Sequence, residues 1–130
     1  MTIEEKVLAI WTADAAAIAL VPAARFKVPG NWQNLARPYV IQYPIAETTL
    51  HTHETGGQAA KLRQWEFYQL SVVADSYSSA KAVVEKMRAL FNGPVSGINM
   101  QYRGQRWVGD SDVTETKHIA VDFRIAETLT

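Results

Sequence analysis

His51 and His53 stand two residues apart, with Glu54 beside them. In an extended segment that spacing sends both imidazoles to one side, where two ring nitrogens and a carboxylate oxygen begin a zinc site. No third ligand follows at a fixed spacing. The surrounding run, Thr48 to Gln58, is polar and holds Gly56 and Gly57, so it reads equally as the tip of a long hairpin. His118, the remaining histidine, is expected at a strand edge. Asp110 and Asp112 pair two carboxylates beside Gly109, a setting in which turn chemistry alone favours aspartate. Gly56-Gly57-Gln58 matches the tripeptide of peptide-release factors over three residues only, and a turn accounts for it better. A nucleophile elbow of the G-x-S-x-G kind, a cysteine and a glycine-rich phosphate loop are all missing. Tyr102, Arg103, Arg106 and Trp107 interleave charge with aromatic rings, as surfaces for single-stranded nucleic acid do. Thirteen Lys plus Arg against thirteen Asp plus Glu leave no net charge to draw the molecule onto a polyanion. These constellations therefore do not add up to a catalytic centre, and the expectation is a protein that is not an enzyme and carries no cofactor.

The elements that position these residues fit one domain, 1–130, with a single core. Apolar residues make up 48% and charged residues 20%, an ordinary globular balance. Glu4 and Glu5 stand where a signal peptide needs positive charge, and the longest stretch without a polar residue, Ala15 to Ala24, is ten residues and contains Pro22. The expectation is a soluble product with no membrane contact. Thr2 and Glu5 form a capping box, and Ile3, Val7, Ile10 and Trp11 recur at helical spacing. Thr12 or Asp14 can cap a second short helix, Ala15 to Leu20, stopped by Pro22. Arg25 to Arg37 reads as a long irregular loop, in which Trp32 has no core explanation.

From Pro38 the period changes to two, with Tyr39, Ile41, Tyr43 and Ile45 on one face and Val40, Gln42, Pro44 and Ala46 on the other. Pro44 cannot donate to a ladder, so this strand is an edge or ends in a bulge. The partner strand, Lys61 to Asp75, places Tyr68, Leu70, Val72 and Ala74 on one face and Trp65, Phe67, Gln69, Ser71 and Val73 on the other. Ser76 or Ser78 caps a helix whose stripe is Ala80, Val83, Val84, Met87, Leu90 and Phe91, and Asn92-Gly93-Pro94 stops it. A short strand through Ile98, Met100 and Tyr102, a second short extended piece around Trp107 between Gly104 and Gly109, a polar turn and a last strand from about Lys117 to Ala126 complete the order. In that last strand Val121, Phe123 and Ile125 face in, while Asp122 and Arg124 face out.

This pattern predicts an α+β fold, a mixed, mostly antiparallel four- to five-stranded sheet with helices packed on one face. Short helices cover one face of such a sheet, so the other face, carrying Trp65, Phe67, Val73 and Val40, is expected to be bare. A bare aromatic face marks a contact surface, and Trp65, Phe67 and Val73 are the expected subunit interface.

The order and spacing of several segments resemble the tail-completion proteins of tailed bacteriophages, the group that includes tail terminators and head–tail joining proteins. The segments are the N-terminal helix broken at Ala13-Asp14-Ala15 and ending in Leu20-Val21, the step at Arg25-Phe26, Pro38-Tyr39-Val40, the hairpin ending near Gly56, the run from Gln69 to Tyr77 leading to Ala80, and Val121 to Ile125. The resemblance spans nearly the whole chain and implies a structural virion protein made in the bacterial host cytoplasm. It would form a ring of copies of itself, typically six, at the head-proximal end of the tail. Its partners would be the tail tube protein and the head connector proteins, with DNA only passing through the ring lumen. Trp32, His51, His53, Glu54, Gln58, Arg103 and Arg106 are then the expected contacts to tube or connector. The Thr48 to Gln58 hairpin with its two histidines is longer than the family pattern. The alternatives are a dimeric α+β module that binds a small ligand or a protein, and a metal-dependent enzyme built on His51 and His53.

Overall fold

The computed structural model describes residues 2–28, 36–51, 61–95, 97–111 and 116–129. Helix α1 (Ile3–Thr12) starts where the sequence asks: the Thr2 hydroxyl accepts from the Glu5 amide at 3.2 Å, and Glu4 and Glu5 meet the positive end of the helix dipole. Helix α2 (Ala15–Leu20) is capped by Asp14, whose carboxylate accepts from the Ala17 amide at 2.9 Å. Lys86, 3.1 Å from Asp14, ties that cap to helix α3 (Tyr77–Leu90). Ser76 caps α3, accepting from the Ser79 amide, and Gly93 beyond its end takes a φ of 77°, a left-handed conformation that glycine adopts without strain.

After a 3₁₀ turn (Ala23–Arg25), the short strand β1 (Phe26–Lys27) pairs in parallel with β2 (Tyr39–His51). The remaining strands are β3 (Lys61–Ala74), β4 (Gly93–Val95), β5 (Ile98–Ser111) and β6 (Thr116–Leu129). Among the described residues the sheet has six strands in the order β1-β2-β3-β6-β5-β4, so the expectation of four or five is corrected. Two of these strands, β1 and β4, are too short to show a period in the sequence. β1 lies at the start of the stretch read as loop, and β4 follows directly on the α3 stop. The two short pieces expected between Ile98 and Gly109 are one strand. Gly104 and Gly109 mark register shifts in β5 rather than breaks.

The helices share their core with one face of the sheet. Trp11 lies 5.5 Å from Phe26 and 6.1 Å from Phe91, and Phe91 meets Phe123 edge-on at 5.6 Å. The Trp11 indole donates to the Val21 carbonyl at 2.9 Å, so its polar end is satisfied in the interior. Val7, Val40, Leu70, Val72, Val83, Met87, Val121 and Ile125 complete this core.

Extra residues in three strands lie at one level of the sheet. Pro44, Tyr68, Phe123 and Tyr102 form one rung across β2, β3, β6 and β5. Within two rungs of it, β2 shifts register around Ala46, β3 between Trp65 and Tyr68, and β5 between Tyr102 and Gly104. A bulge bends its strand and increases its twist, and aligned bulges curl the whole sheet along one line.

Candidate assembly surface

The bulge in β3 decides which aromatic side chains the protein can offer. Glu66 and Phe67 are inserted between Trp65 and Tyr68, so these two, three residues apart, point to the same side. Trp65 is 2% exposed in the core and meets Tyr68 edge-on at 6.5 Å. This corrects its assignment to the bare face, and Val40, fully buried in the same core, is corrected likewise. Phe67 faces the other way and is 45% exposed, and Val73 lies outside the helix-covered core and is buried. Of the three expected interface residues, Phe67 has a large area to give a partner.

The open face is built in rungs. Tyr39, Val73, His118 and Gly109 are in register, then Ile41, Ser71, Ala120 and Arg106, then Tyr43, Gln69, Asp122 and Gly104. Arg106 reaches from β5 across the small Ala120 to donate to the Gln69 side-chain oxygen Oε1 at 3.0 Å and lies 3.6 Å from Asp122. Gln69 in turn donates to the Ser71 hydroxyl. Further along, Glu66 sits between Arg124 at 3.5 Å and Arg103 at 3.8 Å, and the Arg103 guanidinium lies over the Phe67 ring at 5.8 Å. The face is therefore an apolar and small-residue zone running into a charged network that surrounds one exposed phenylalanine.

The interleaved arginines and aromatics of β5 are separated. Tyr102 packs on Phe123 and under Arg88 on the helix side, and Trp107 meets Tyr77 of α3 at 5.3 Å, while Arg103 and Arg106 stand on the open face. The bulge at Gly104 produces this sorting and removes the alternating charge-and-stack surface that the sequence suggests. Trp107, 46% exposed, forms with the exposed Tyr77 a second aromatic patch. Its rung passes through Val72, five residues along β3 from Phe67, so the two patches lie roughly 17 Å apart along the strand and on opposite faces.

A third feature lies beside the start of α1, a depression lined by Thr2, Ile3, Pro44, Ile45, Arg63 and Trp65. Arg63, in its lining, lies 3.8 Å from the Glu127 carboxylate, which is 3% exposed and accepts from Lys6 Nζ. Tyr68 donates to the Gln42 side-chain oxygen at 2.5 Å, and Gln42 donates to the Glu4 carbonyl at 3.3 Å. Burial, with a smaller push from the Glu4 carboxylate, raises the Tyr68 pKa, so it serves as a neutral donor.

His118 stands within the sheet, not at an edge, since β6 runs between β3 and β5. Burial, helped by nearby Arg106, lowers its pKa, and its buried Nε2 has no hydrogen-bond partner. Trp32, His53, Glu54, Gln58 and Asp112 lie outside the described residues, and the structure gives only the backbone of His51 and Asp110. Among the described residues no group of three His, Asp or Glu could hold a metal ion, and no helix is long and apolar enough to cross a membrane.

No family model matches the sequence, and no curated protein matches it either. Among solved structures, the chain is similar to one from the virion of a native gene transfer agent (GTA) particle. The likeness covers 98% of this chain and 95% of the other, with a TM-score of 0.70 and 20% identity. It extends over the whole sheet and its helices, and at this identity it concerns the fold.

Proposed function

We propose that this chain is a structural protein of a phage-like virion. In this reading it forms a ring at the head-proximal end of the tail, closes the tube and presents the surface to which the head connector docks. The observation that carries the reading is the nearly full-length likeness to a chain of a gene transfer agent virion. The surface supports it independently. A ring closes through heterologous contacts, in which two different patches of one subunit meet. Phe67 in its charged surround and the Tyr77–Trp107 pair are two separate exposed aromatic areas on opposite faces, available to neighbouring copies and to tail partners. Catalysis has no place in this mechanism: binding buries area, blocks further addition of tube subunits and creates a new docking face. The protein works on the tail tube protein, the connector and copies of itself, and DNA passes through the lumen.

Electron microscopy of particles produced without this protein tests the role. Overlong tails are expected for a terminator, and normal tails detached from heads for a joining protein. Complete, infectious or transfer-competent particles would overturn the proposal.

A further inference from the structure

Both sides of the sheet end in strands that are only partly paired. On β2, β1 covers the outer edge at Val40 and Ile41 alone, and among the described residues nothing pairs with that edge from 43 to 51. On β5, β4 covers the outer edge at Ile98 to Met100 alone, and nothing described pairs with it from 101 to 111. Two windows of similar length are thus left on opposite sides of one sheet. Long unpaired edges are templates for another strand, and monomeric proteins keep them short or block them. Pro44 blocks only the inner end of the first window. Exposed apolar side chains mark both: Ile45 on the first, Trp107 and Val108 on the second.

We infer that the occupant of each edge is a second copy of this chain, with 43–51 of one subunit pairing antiparallel to 101–111 of the next, so that one sheet runs around the ring. The inference rests on the ring reading above and adds the contact that closes it. Strand direction permits it. β2 pairs antiparallel with β3, β3 with β6 and β6 with β5, so β5 runs opposite to β2. A neighbour turned about the ring axis without being flipped therefore meets β5 with an antiparallel β2. The short covering strands then set the offset. Arg106, at the middle of its window, shares a rung with Ile41, whereas the middle of the other window is Glu47. Matching the two middles slides the neighbour by about six residues, roughly 20 Å along the strands. Each copy contributes β2, β3, β6 and β5, a width of about 19 Å at ~4.8 Å per strand. A ring without axial rise absorbs that slide by tilting its strands about 45° from the axis, at the upper end of the ~35–45° at which closed β-barrels settle. The tilt is the same for any number of copies.

The sequence has no cysteine, so introduced pairs report without background. Thr49→Cys combined in turn with Gln105→Cys, Arg106→Cys and Trp107→Cys should give, after oxidation of the assembled protein, a ladder of covalent multimers from at least one pair, with each single variant stopping at the dimer. Thr48→Pro and Thr49→Pro address alternate backbone amides, one of which points outward, so at least one should lose the ring in native mass spectrometry while keeping the monomer's circular dichroism. Wild-type rings that survive both prolines and yield no ladder from any pair would overturn edge pairing and leave the ring reading standing. Wild-type protein that forms no ring, alone or in assembled particles, would overturn the ring reading itself. A map of the assembled particle with a strand from a different protein on 43–51 would assign the edge to that partner and overturn self-pairing.

Discussion

Trp65 and Phe67 sit two residues apart on β3 and belong to opposite surfaces. One face of the sheet is sealed by three helices and carries Trp65, Tyr68, Leu70, Phe123 and Ile125 in a continuous apolar core. Over the other no helix lies among the described residues, and its own side chains cover it, Arg106 lying across Ala120 and the Arg103, Glu66 and Arg124 network surrounding Phe67. The first face spends its aromatics on folding. The second keeps Phe67 and its arginines available, so substitutions on the two faces should separate stability from assembly.

The largest effect is expected on the sealed face. Trp65→Ala removes a buried indole and leaves a cavity beside Tyr68, and should lower the unfolding free energy by about 3–5 kcal/mol in urea titrations. A change below ~1 kcal/mol would mean that Trp65 is not core and would restore it to the open face. Next comes Glu127→Gln, which takes the shared carboxylate from Lys6 and Arg63. Both partners are partly exposed and can rehydrate, so the cost should be about 1–2 kcal/mol rather than the larger penalty of a fully buried pair. On the open face Phe67→Ser should change stability by no more than about 0.5 kcal/mol, because nearly half the side chain is already in water. The same variant should lose rings or particle incorporation. Unchanged assembly would remove Phe67 from the interface and leave the edges as the remaining contact.

What the sequence displayed and what it hid also divides along this line. The capped helices were legible because their signals are local: Thr2, Asp14 and Ser76 act on amides three residues away. The alternation of β6 is legible because the extra residues opposite it belong to β3 and β5, and its own residues from Lys117 to Phe123 pair with β3 without a shift. Trp65 was misplaced because period-two counting holds only while pairing is regular. One extra residue in β3 reverses every assignment beyond it, and the bulge is set by strands that come from elsewhere in the chain. Gly104 and Gly109 were read as breaks for the same reason: a glycine that permits a bulge and one that ends a strand look alike in sequence. The Lys6 and Glu127 pair joins residues 121 positions apart, and nothing in the spacing of either announces the other. The open face was foreseen in outline, since short helices cannot cover two sides of a sheet. Its occupancy by an arginine network was not, because Arg103, Arg106, Arg124 and Glu66 converge only when β3, β6 and β5 lie side by side.

The smallest effect expected is a shift of stability with pH, and it again sets the two faces apart. His118 lies on the open face beside Val73, with Gly109 and Arg106 on β5 and Tyr39 across β3 on β2. Burial and then Arg106 depress its folded-state pKa below the ordinary value of 6.5, so near that pH the unfolded chain binds more protons than the folded one. Stability should therefore fall as pH drops through 6.5 and level off once the folded form protonates as well. His118→Gln should flatten that slope in thermal melts between about pH 7 and 5. Asp14 supplies the contrast at lower pH. The Ala17 amide and Lys86 hold its carboxyl below the ordinary 3.8, so its contribution is present above that value and disappears as pH falls through the folded pKa. Asp14→Asn should thus remove acid sensitivity below pH 4 and leave the region near 6 untouched, while His118→Gln does the reverse. If assembly buries the open face, ring formation should steepen the His118 slope and leave that of Asp14 unchanged, because only the histidine would lose further contact with water.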